Sequence, residues 1–222
     1  MNYDYETIRE LFGLNEPDGL PEEQIEIIRK HFGAIPKALE NYYRLCGGCA
    51  NMNASQDFLL TPDRRYGYYL LEAFNYPGYC VFYVENQCVS EWAVKTSDLH
   101  QENPPVYATN DGGQTWYPVC EHVSLFLTAQ GYLQASFSLP YSSEDFFDMT
   151  KKQTAKFADY FHHVGADIHL YNNDIQFFRY GRALLVVMES NDAYDFVWYA
   201  SDDENNFEQT EKIIDSLIDE ED

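Results

Sequence analysis

The sequence has few basic residues. Fourteen Lys and Arg stand against 37 Asp and Glu, which gives a formal net charge of −23 at pH 7, and neither Lys nor Arg occurs between Thr96 and Thr150. Such a surface repels phosphate groups, so we expect the protein to bind neither nucleic acids nor anionic membranes. The charge favours cations and basic proteins as partners, although high net charge also serves simply to keep a protein in solution.

Long apolar runs are missing as well, and no stretch approaches the roughly 20 residues that a membrane-spanning helix needs. The first 14 residues are acidic and amphipathic rather than basic and then apolar, so we expect no secretory leader. Five cysteines are an odd number, which is typical of reduced thiols and not of a disulfide framework. These features predict a cytoplasmic protein.

Recognisable catalytic motifs are also absent. The sequence contains no G-x-S-x-G, no P-loop, no Gly-rich dinucleotide fingerprint and no H-E-x-x-H. Glu85 and Glu91 flank a predicted turn, where we expect solvent- or partner-facing side chains with ordinary pKa values. We therefore predict a protein without enzymatic activity, catalytic residues or a cofactor.

One cysteine pair has metal-like spacing. Cys46-Gly-Gly-Cys49 matches half of a zinc site or a redox pair, so a metal-dependent or redox enzyme built on Cys46 and Cys49 is one alternative. A thioredoxin-type pair should begin a helix, whereas this pair ends a predicted one. We favour small residues at a helix end, without a metal ion.

A group of histidines and aspartates is a second candidate metal site, formed by His162, His163, Asp159, Asp167 and His169. Adjacent side chains on a helix point about 100° apart, so His162 and His163 would not easily share one ion. We favour a helix end at which cationic histidine complements the helix dipole.

Hydrophobic periodicity predicts three N-terminal helices followed by strands. Helices are predicted over residues 3–14, 21–32 and 36–46, with Asp4 as a possible cap of the first. Val81, Tyr83 and Glu85 alternate with Cys80, Phe82 and Val84, which predicts a strand, and the polar residues 85–87 predict a hairpin turn to a second strand. A strand at residues 104–107, a turn at residues 111–113, a short return strand and a helix from Glu121 to about Phe137 follow.

The C-terminal third reads as a helix over residues 143–163, two strands (183–190 and 194–201) joined at Asn191-Asp192, and a final helix capped by Asn205 or Asn206. Because this part is short for an independent domain, we expect its strands to extend the first sheet or to pack on its open side. We predict a single domain over residues 1–222, with a core at about 20–139, an extension at about 141–218 and a disordered acidic tail at 219–222.

The order of four weak motifs resembles the SUKH superfamily. A strand ending in Glu-Asn-Gln precedes a tryptophan, a Pro-Pro-Val-Tyr element, a second tryptophan and a helix that begins Ser-Leu-Phe-Leu. The matching positions are Glu85, Asn86, Gln87, Trp92, Pro104, Pro105, Val106, Tyr107, Trp116, Ser124, Phe126 and Leu127. Residues 34–48 are similar to the opening helix of that family, and the resemblance covers about Leu20 to Leu139. The sequence departs from the family at Cys88, where glycine is usual, and at Asn103, where aspartate is frequent.

This resemblance implies a fold and a function. The fold would be α+β, with N-terminal helices packed on a mostly antiparallel, twisted multi-stranded sheet. The residue pattern past Leu139 adds the C-terminal β-hairpin-plus-helix extension to it. The superfamily contains bacterial immunity proteins that bind and neutralise toxins, and the resemblance implies that this chain binds a cognate toxin domain. Many such toxins are nucleases with basic active faces, which an acidic protein complements. A regulatory protein-binding scaffold, like the fungal cell-wall-assembly regulators of the superfamily, is the alternative.

Aromatic residues supply the remaining signal, with 19 Tyr and 3 Trp. Tyr and Trp combine a large contact area with a polar tip, which enriches them at protein interfaces. We expect Tyr42, Tyr83 and Trp92 in the core. Some members of two dense tyrosine clusters should be exposed: Tyr66, Tyr68 and Tyr69, and Tyr76 and Tyr79. The predicted toxin interface combines acidic residues with two exposed aromatic residues: Glu91, Asp98, Glu102, Asp111, Trp116, Tyr117 and Glu121.

Overall fold

The computed structural model describes residues 5–67, 75–143, 145–165, 167–170 and 173–219. The chain divides into two compact units, residues 1–134 and 135–222. Both units contain helices and antiparallel strands, so the predicted α+β fold class is confirmed. The prediction that residues 1–222 form a single domain stays a prediction.

The first unit begins with four helices: α1 (Glu6–Leu11), α2 (Glu22–Phe32), α3 (Lys37–Cys46) and α4 (Ala50–Asn53). Pro21 and Pro36 immediately precede α2 and α3, where the fixed φ of proline suits the start of a helix. Gly33 ends α2 with a φ of 82°, a left-handed conformation that glycine adopts without strain. The proposed cap Asp4 lies outside the described residues.

The first sheet has six strands: β1 (Phe58–Leu59), β2 (Asn75–Tyr76), β3 (Tyr79–Val84), β4 (Glu91–Lys95), β5 (Val106–Thr109) and β6 (Tyr117–Cys120). The strand order is β1-β3-β4-β5-β6, with β2 also paired to β3, and the pairs are antiparallel. A 3-10 turn (Thr96–Asp98) follows β4, and helix α5 (Val123–Ser138) follows β6. The hairpin predicted around residues 85–87 is confirmed.

One face of this sheet packs against α5. Trp92 and Tyr83 contact the ring of Phe126, with centroid separations of 5.7 and 5.8 Å. Tyr42, Tyr83 and Trp92 are all buried, which confirms their predicted place in the core. Aromatic side chains bury more apolar area than any others, so this contact is a main source of stability for the first unit.

The second unit has its own sheet of seven strands: β7 (Tyr141–Ser142), β8 (Phe147–Thr150), β9 (His162–His163), β10 (Ile168–Leu170), β11 (Asn173–Tyr180), β12 (Ala183–Glu189) and β13 (Tyr194–Ser201). The order is β10-β11-β12-β13-β7, with β8 paired to β13 and β9 to β11. The hairpin of β12 and β13 is confirmed. The expectation that these strands extend the first sheet is wrong, because in the described ranges they pair among themselves. The alternative, that they pack on its open side, stays a prediction.

The helix predicted over residues 143–163 is wrong. Residues 147–150 form strand β8, which pairs with residues 194–197 of β13. Two short helices follow: α6 (Lys151–Thr154) and α7 (Phe157–Tyr160). Thr150 begins α6 with a capping box, in which its hydroxyl accepts from the backbone N–H of Gln153. Pairing with β13 thus stabilises the segment as a strand of the sheet. This is a long-range effect that local periodicity does not indicate.

The last helix is α8 (Glu204–Asp219). Its cap is Asp203 and not Asn205 or Asn206, since the backbone N–H of Asn206 donates to Asp203 Oδ1 at 2.9 Å. Ile214 and Leu217 turn inward to a cluster that includes Val197 and Phe157. Of the predicted disordered tail, Asp219 ends α8 and residues 220–222 lie outside the described residues. Within the described ranges no helix combines the length and the apolar character needed to cross a bilayer.

Candidate protein-binding surface

The face of the first sheet opposite α5 carries a second group of aromatic side chains. Side chains alternate along β4, so Ala93 and Lys95 lie on the opposite face from Trp92. Tyr79 lies directly across from Lys95, and Tyr107 lies across from Ala93, so both tyrosines share this face. We call the group formed by Tyr76, Tyr79, Tyr107 and Trp116 the aromatic face.

The four rings of the aromatic face touch one another. Trp116 stacks on Tyr79 with a centroid separation of 4.1 Å and an interplanar angle of 8°. Tyr76 meets the edge of Trp116 at 5.6 Å, and Tyr107 meets Tyr79 at 6.1 Å. All four are half-buried. The rings therefore hold one another in place while part of each remains open to solvent.

The loop between β5 and β6 holds Tyr76 in position. Gly113 has a φ of 81°, and a Cβ atom there would lie 2.3 Å from Cδ1 of Tyr76. Only glycine permits this close approach without displacement of the ring. The hydroxyl of Tyr76 donates to Glu91 Oε1 at 3.3 Å. The aromatic face is thus linked to both the loop and β4.

Asp111, predicted as an interface residue, organises the same loop. Its carboxylate accepts hydrogen bonds from the Thr115 hydroxyl, from the backbone N–H groups of Gln114 and Thr115, and from the Thr109 hydroxyl. These bonds, that from the Thr115 hydroxyl above all, lower the pKa of Asp111 to about 2. Asp111 therefore stays negatively charged at neutral pH.

The expectation that Glu85 and Glu91 are exposed is wrong, and so is the expectation of an ordinary pKa for Glu91. Glu91 is only 5% exposed, and this burial raises the pKa of its carboxyl group above 4.5. Glu85 is buried too, because its carboxylate accepts from the backbone N–H groups of Gln87 and Val89 and so closes the β3–β4 turn. Neither side chain forms an open charged edge.

The remaining predicted interface residues lie at two ends of the sheet. Tyr117 is half-buried beside Trp116, and burial followed by the charge of Asp111 raises the pKa of its phenol. Glu121 follows β6, at the opposite end of that strand from Tyr117. Glu102 precedes β5, whereas Asp111 follows it. The carboxylate of Glu102 lies 3.5 Å from Lys37 Nζ. Asp98 is half-buried after β4. The structure therefore groups Glu91, Asp111 and Trp116 at the aromatic face. Tyr117 lies across from Ala108, which itself lies across from Trp92, so Tyr117 is on the α5 side of the sheet. Glu102 and Glu121 lie elsewhere.

Sequence reasoning missed two members of this surface. Tyr107 and Lys95 are not among the predicted interface residues, yet the ammonium group of Lys95 lies 4.1 Å from the centroid of the Tyr107 ring. Strand alternation across β4 and β5 is the signal that would have found them. Tyr66 belongs to a cluster of which some members were expected to be exposed, and it is itself buried and donates to the Gly47 carbonyl. Tyr68 and Tyr69 lie outside the described residues.

The alternative site at Cys46 and Cys49 has two free thiols at the end of α3. Burial raises the pKa of Cys46 to about 12 and also raises that of Cys49. A reactive redox pair requires at least one thiol with a lowered pKa, because the thiolate is the nucleophile. This environment is typical of structural thiols.

The histidine group is also placed differently from its prediction. His162 and His163 lie in strand β9 and not at a helix end, which corrects our preferred interpretation. His163 pairs with Asp167 at 2.7 Å, and His169 pairs separately with Asp174 at 2.9 Å. Among the residues that the structure describes, no three His, Cys, Asp or Glu side chains are arranged to hold a metal ion.

Comparison of the chain with protein-family models, with curated proteins and with solved structures finds no match. The resemblance to the SUKH superfamily therefore stays a hypothesis that depends on the order of its motifs.

Proposed function

We propose that this chain is a non-enzymatic, immunity-type protein that binds a basic bacterial toxin domain through the aromatic face and so neutralises it. The observation that carries the proposal is a set of four half-exposed aromatic rings in mutual contact, Tyr76, Tyr79, Tyr107 and Trp116, on a strongly acidic chain.

The aromatic face has the physical properties of an interface centre. Interfaces gain most of their affinity from a few large side chains, commonly Trp and Tyr, that become fully desolvated on binding. Rings that are already fixed lose little conformational entropy when a partner covers them. The stacking of Trp116 on Tyr79 and the close contact of Gly113 with Tyr76 supply that order in advance.

The charge distribution selects the class of partner. Asp111 keeps its charge at neutral pH, and Glu102 and Glu121 are exposed in the segment without Lys or Arg. Such a field speeds the approach of a basic partner and slows that of an acidic one. A nuclease grips phosphates with a basic face, so an acidic protein that covers this face blocks substrate access without any chemistry of its own.

The β3–β4 turn supports the proposed relationship. Cys88 has a φ of 58°, in the left-handed region that favours glycine, and it stands where the SUKH family usually has glycine. The other motif residues Trp92 and Phe126 meet in the core of the first unit. These positions are consistent with a common structural role for the motifs.

The first experiment is a growth-rescue assay. The chain is co-expressed with the C-terminal toxin domain encoded by the neighbouring open reading frame, and we expect it to restore growth. The variants Tyr79→Ala and Trp116→Ala should lose the rescue while they remain folded by circular dichroism. Full rescue by both folded variants would remove the aromatic face from the proposal. A host protein captured in place of a toxin would favour the regulatory scaffold.

The second experiment tests electrostatic steering with association rates. The triple charge reversal Asp98→Lys, Glu102→Lys and Glu121→Lys avoids buried Glu91 and the loop-forming Asp111. We expect association with the toxin to slow by about tenfold at low salt and to differ little from wild type at high salt. The matched control reverses three exposed acids of the N-terminal part, Glu10, Glu16 and Glu23. Equal slowing in both triple variants would assign the effect to net charge rather than to the acidic residues of the segment without Lys or Arg.

A further inference from the structure

The second unit contains a cleft between α8 and the β7–β8 segment, with a volume of about 450 Å³. Its walls combine aromatic and acidic side chains: Phe147, Tyr199, Phe207, Asp145, Glu211 and Asp215. Volumes of this order hold small organic ligands. The proposed toxin interface does not use this cleft.

The aromatic side chains of the cleft form a row. Phe147 meets Tyr199 at a centroid separation of 5.9 Å, and Tyr199 meets Phe207 at 5.2 Å. Strand pairing explains the first contact, since Phe147 lies across from Val197, two residues before Tyr199. The faces of aromatic rings carry partial negative charge, so they attract cations and also pack against aliphatic chains.

The acidic side chains lie on one stripe of α8. Phe207, Glu211 and Asp215 are spaced four residues apart, so they project from the same side of the helix. Glu211 and Asp215 repel each other across one helical turn, and Asp145 adds a third exposed carboxylate on the opposite wall. None of the described residues that line the cleft is Lys, Arg or His. No cationic side chain of the described lining therefore neutralises these carboxylates within the cleft.

The pKa of Tyr199 reflects the negative charge at the base of the cleft. Burial, and then the charges of Glu211 and Asp215, raise the pKa of its phenol. The hydroxyl group thus stays protonated at physiological pH and adds a neutral polar group below the two carboxylates.

We propose that this cleft binds an organic cation, a primary ammonium or guanidinium group on an aliphatic stem. The cationic head lies between Glu211 and Asp215, and the stem packs on Phe147, Tyr199 and Phe207. A hard metal ion fits less well, because such ions require several oxygen ligands and half of the residues that line the cleft are aromatic or aliphatic. The same chemistry occurs in free polyamines and in the Lys and Arg side chains of proteins.

Titration of the 222-residue chain, followed by calorimetry and by backbone amide NMR shifts in α8, tests the proposal. The probes are 1,5-diaminopentane for the free amine and a blocked Gly-Lys-Gly peptide for the protein side chain. We expect at least one of them to bind with a Kd of about 1 mM or tighter. Binding of the diamine assigns the site to small amines, and binding of the peptide alone assigns it to a protein side chain. Absence of binding by both would overturn the proposal.

Matched variants and ligands give the controls. Glu211→Gln combined with Asp215→Asn should weaken binding by about tenfold or more, as expected for loss of charge-assisted hydrogen bonds. Glu204→Gln combined with Glu208→Gln removes the same charge from the same helix outside the cleft and should change affinity by less than about twofold. Equal losses in the two double variants would overturn the proposal, as would equal binding of Mg²⁺ or of the peptide with acetylated lysine.

The toxin-rescue assay separates this inference from the proposed function. A Glu211→Gln, Asp215→Asn variant that loses amine binding and still rescues growth establishes two independent sites. If the wild type binds no amine and the same double variant loses rescue, the amine site is overturned. The proposed toxin-binding function is then unaffected.

Discussion

The two faces of the first sheet both carry aromatic side chains, but they differ in what covers them. On one face α5 packs over Trp92 and Tyr83, and Trp92 is only 2% exposed. On the other, the β5–β6 loop brings Trp116 against Tyr79 and leaves both rings half-open. Aromatic composition alone therefore does not mark an interface in this chain. The cover that the fold supplies decides which rings hold the unit together and which remain available to a partner.

A β-bulge makes the separation possible. Strict alternation along β3 would place Tyr79 and Tyr83 on the same face. The register between β3 and β4 shifts between Val81 and Tyr83, so that Tyr83 lies across from Trp92 while Tyr79 lies across from Lys95. One strand thus contributes a tyrosine to the core and another to the aromatic face.

The largest expected effect is that of Trp92→Ala. This change removes a buried ring from the contact with Phe126 and Tyr83, and we expect the free energy of unfolding to fall by about 3–5 kcal/mol. Chemical denaturation measures the loss. A fall below about 1 kcal/mol would show that the α5 side of the sheet is not the main source of stability.

Gly113→Ala tests the order of the open face. The new Cβ would meet the ring of Tyr76 at 2.3 Å and would also strain a φ of 81°, so we expect a loss of about 2 kcal/mol. Gly112→Ala is the control, because its φ of 69° imposes the backbone strain while no heavy atom lies within 4 Å of the Cβ position. We expect about half the loss there. Equal losses would mean that Tyr76 moves away freely.

The sequence predicts the parts of this fold that depend on neighbouring residues. The helices that follow Pro21 and Pro36, the β3–β4 hairpin and the β12–β13 hairpin have local signals, and all are present. The burial of Trp92 also follows from its place in an apolar strand. The helix predicted over residues 143–163 is wrong because strand β8 depends on pairing with β13. That strand is about 45 residues away, so local periodicity does not indicate the pairing.

The candidate site was predictable only in part. The sequence predicts Trp116 and Tyr117 to be exposed, and the structure shows both half-buried. The burial of Glu91 depends on Tyr76, 15 residues earlier, and the Trp116–Tyr79 stack joins residues 37 positions apart. Its charge predicts Asp111 as an interface residue, yet the four groups of Thr109, Gln114 and Thr115 that donate hydrogen bonds to it show that it orders the loop. Charge and residue type can be read from the sequence, but the partners of each side chain require the fold.

Trp116→Ala should separate stability from binding. The ring is half-buried, so we expect the free energy of unfolding to fall by only about 1 kcal/mol, the scale of an aromatic pair. Affinity for the toxin should fall by at least about thirtyfold, since a central tryptophan of an interface contributes 2 kcal/mol or more. Tyr160→Ala is the control, because Tyr160 is an aromatic residue of the second unit that is 44% exposed. Equal affinity losses in both variants would indicate a general effect of aromatic removal.

The smallest expected effect, and the only gain, is that of Glu91→Gln. The folded pKa of Glu91 is raised above 4.5, so the folded state still holds the proton at pH values where the unfolded chain has released it. The free energy of unfolding therefore falls as pH rises from the unfolded to the folded pKa, and then stays constant. Glutamine keeps the acceptor for Tyr76 without this loss, so the variant should be more stable than wild type at pH 7 and equal to it near pH 3.

Asp111→Asn should change the free energy of unfolding at pH 7 in the opposite direction. The folded pKa of Asp111 is lowered from 3.8 to about 2, so its stabilisation is present above 3.8 and is lost as pH falls through 2. This variant should be less stable than wild type at pH 7, and the difference should shrink toward pH 2. Stability curves measured from pH 2 to 8 check both variants together. Curves of the same sign would contradict the assignment of Glu91 to a buried site and of Asp111 to the hydrogen-bonded loop, because burial and hydrogen bonding move the pKa of a carboxyl group in opposite directions.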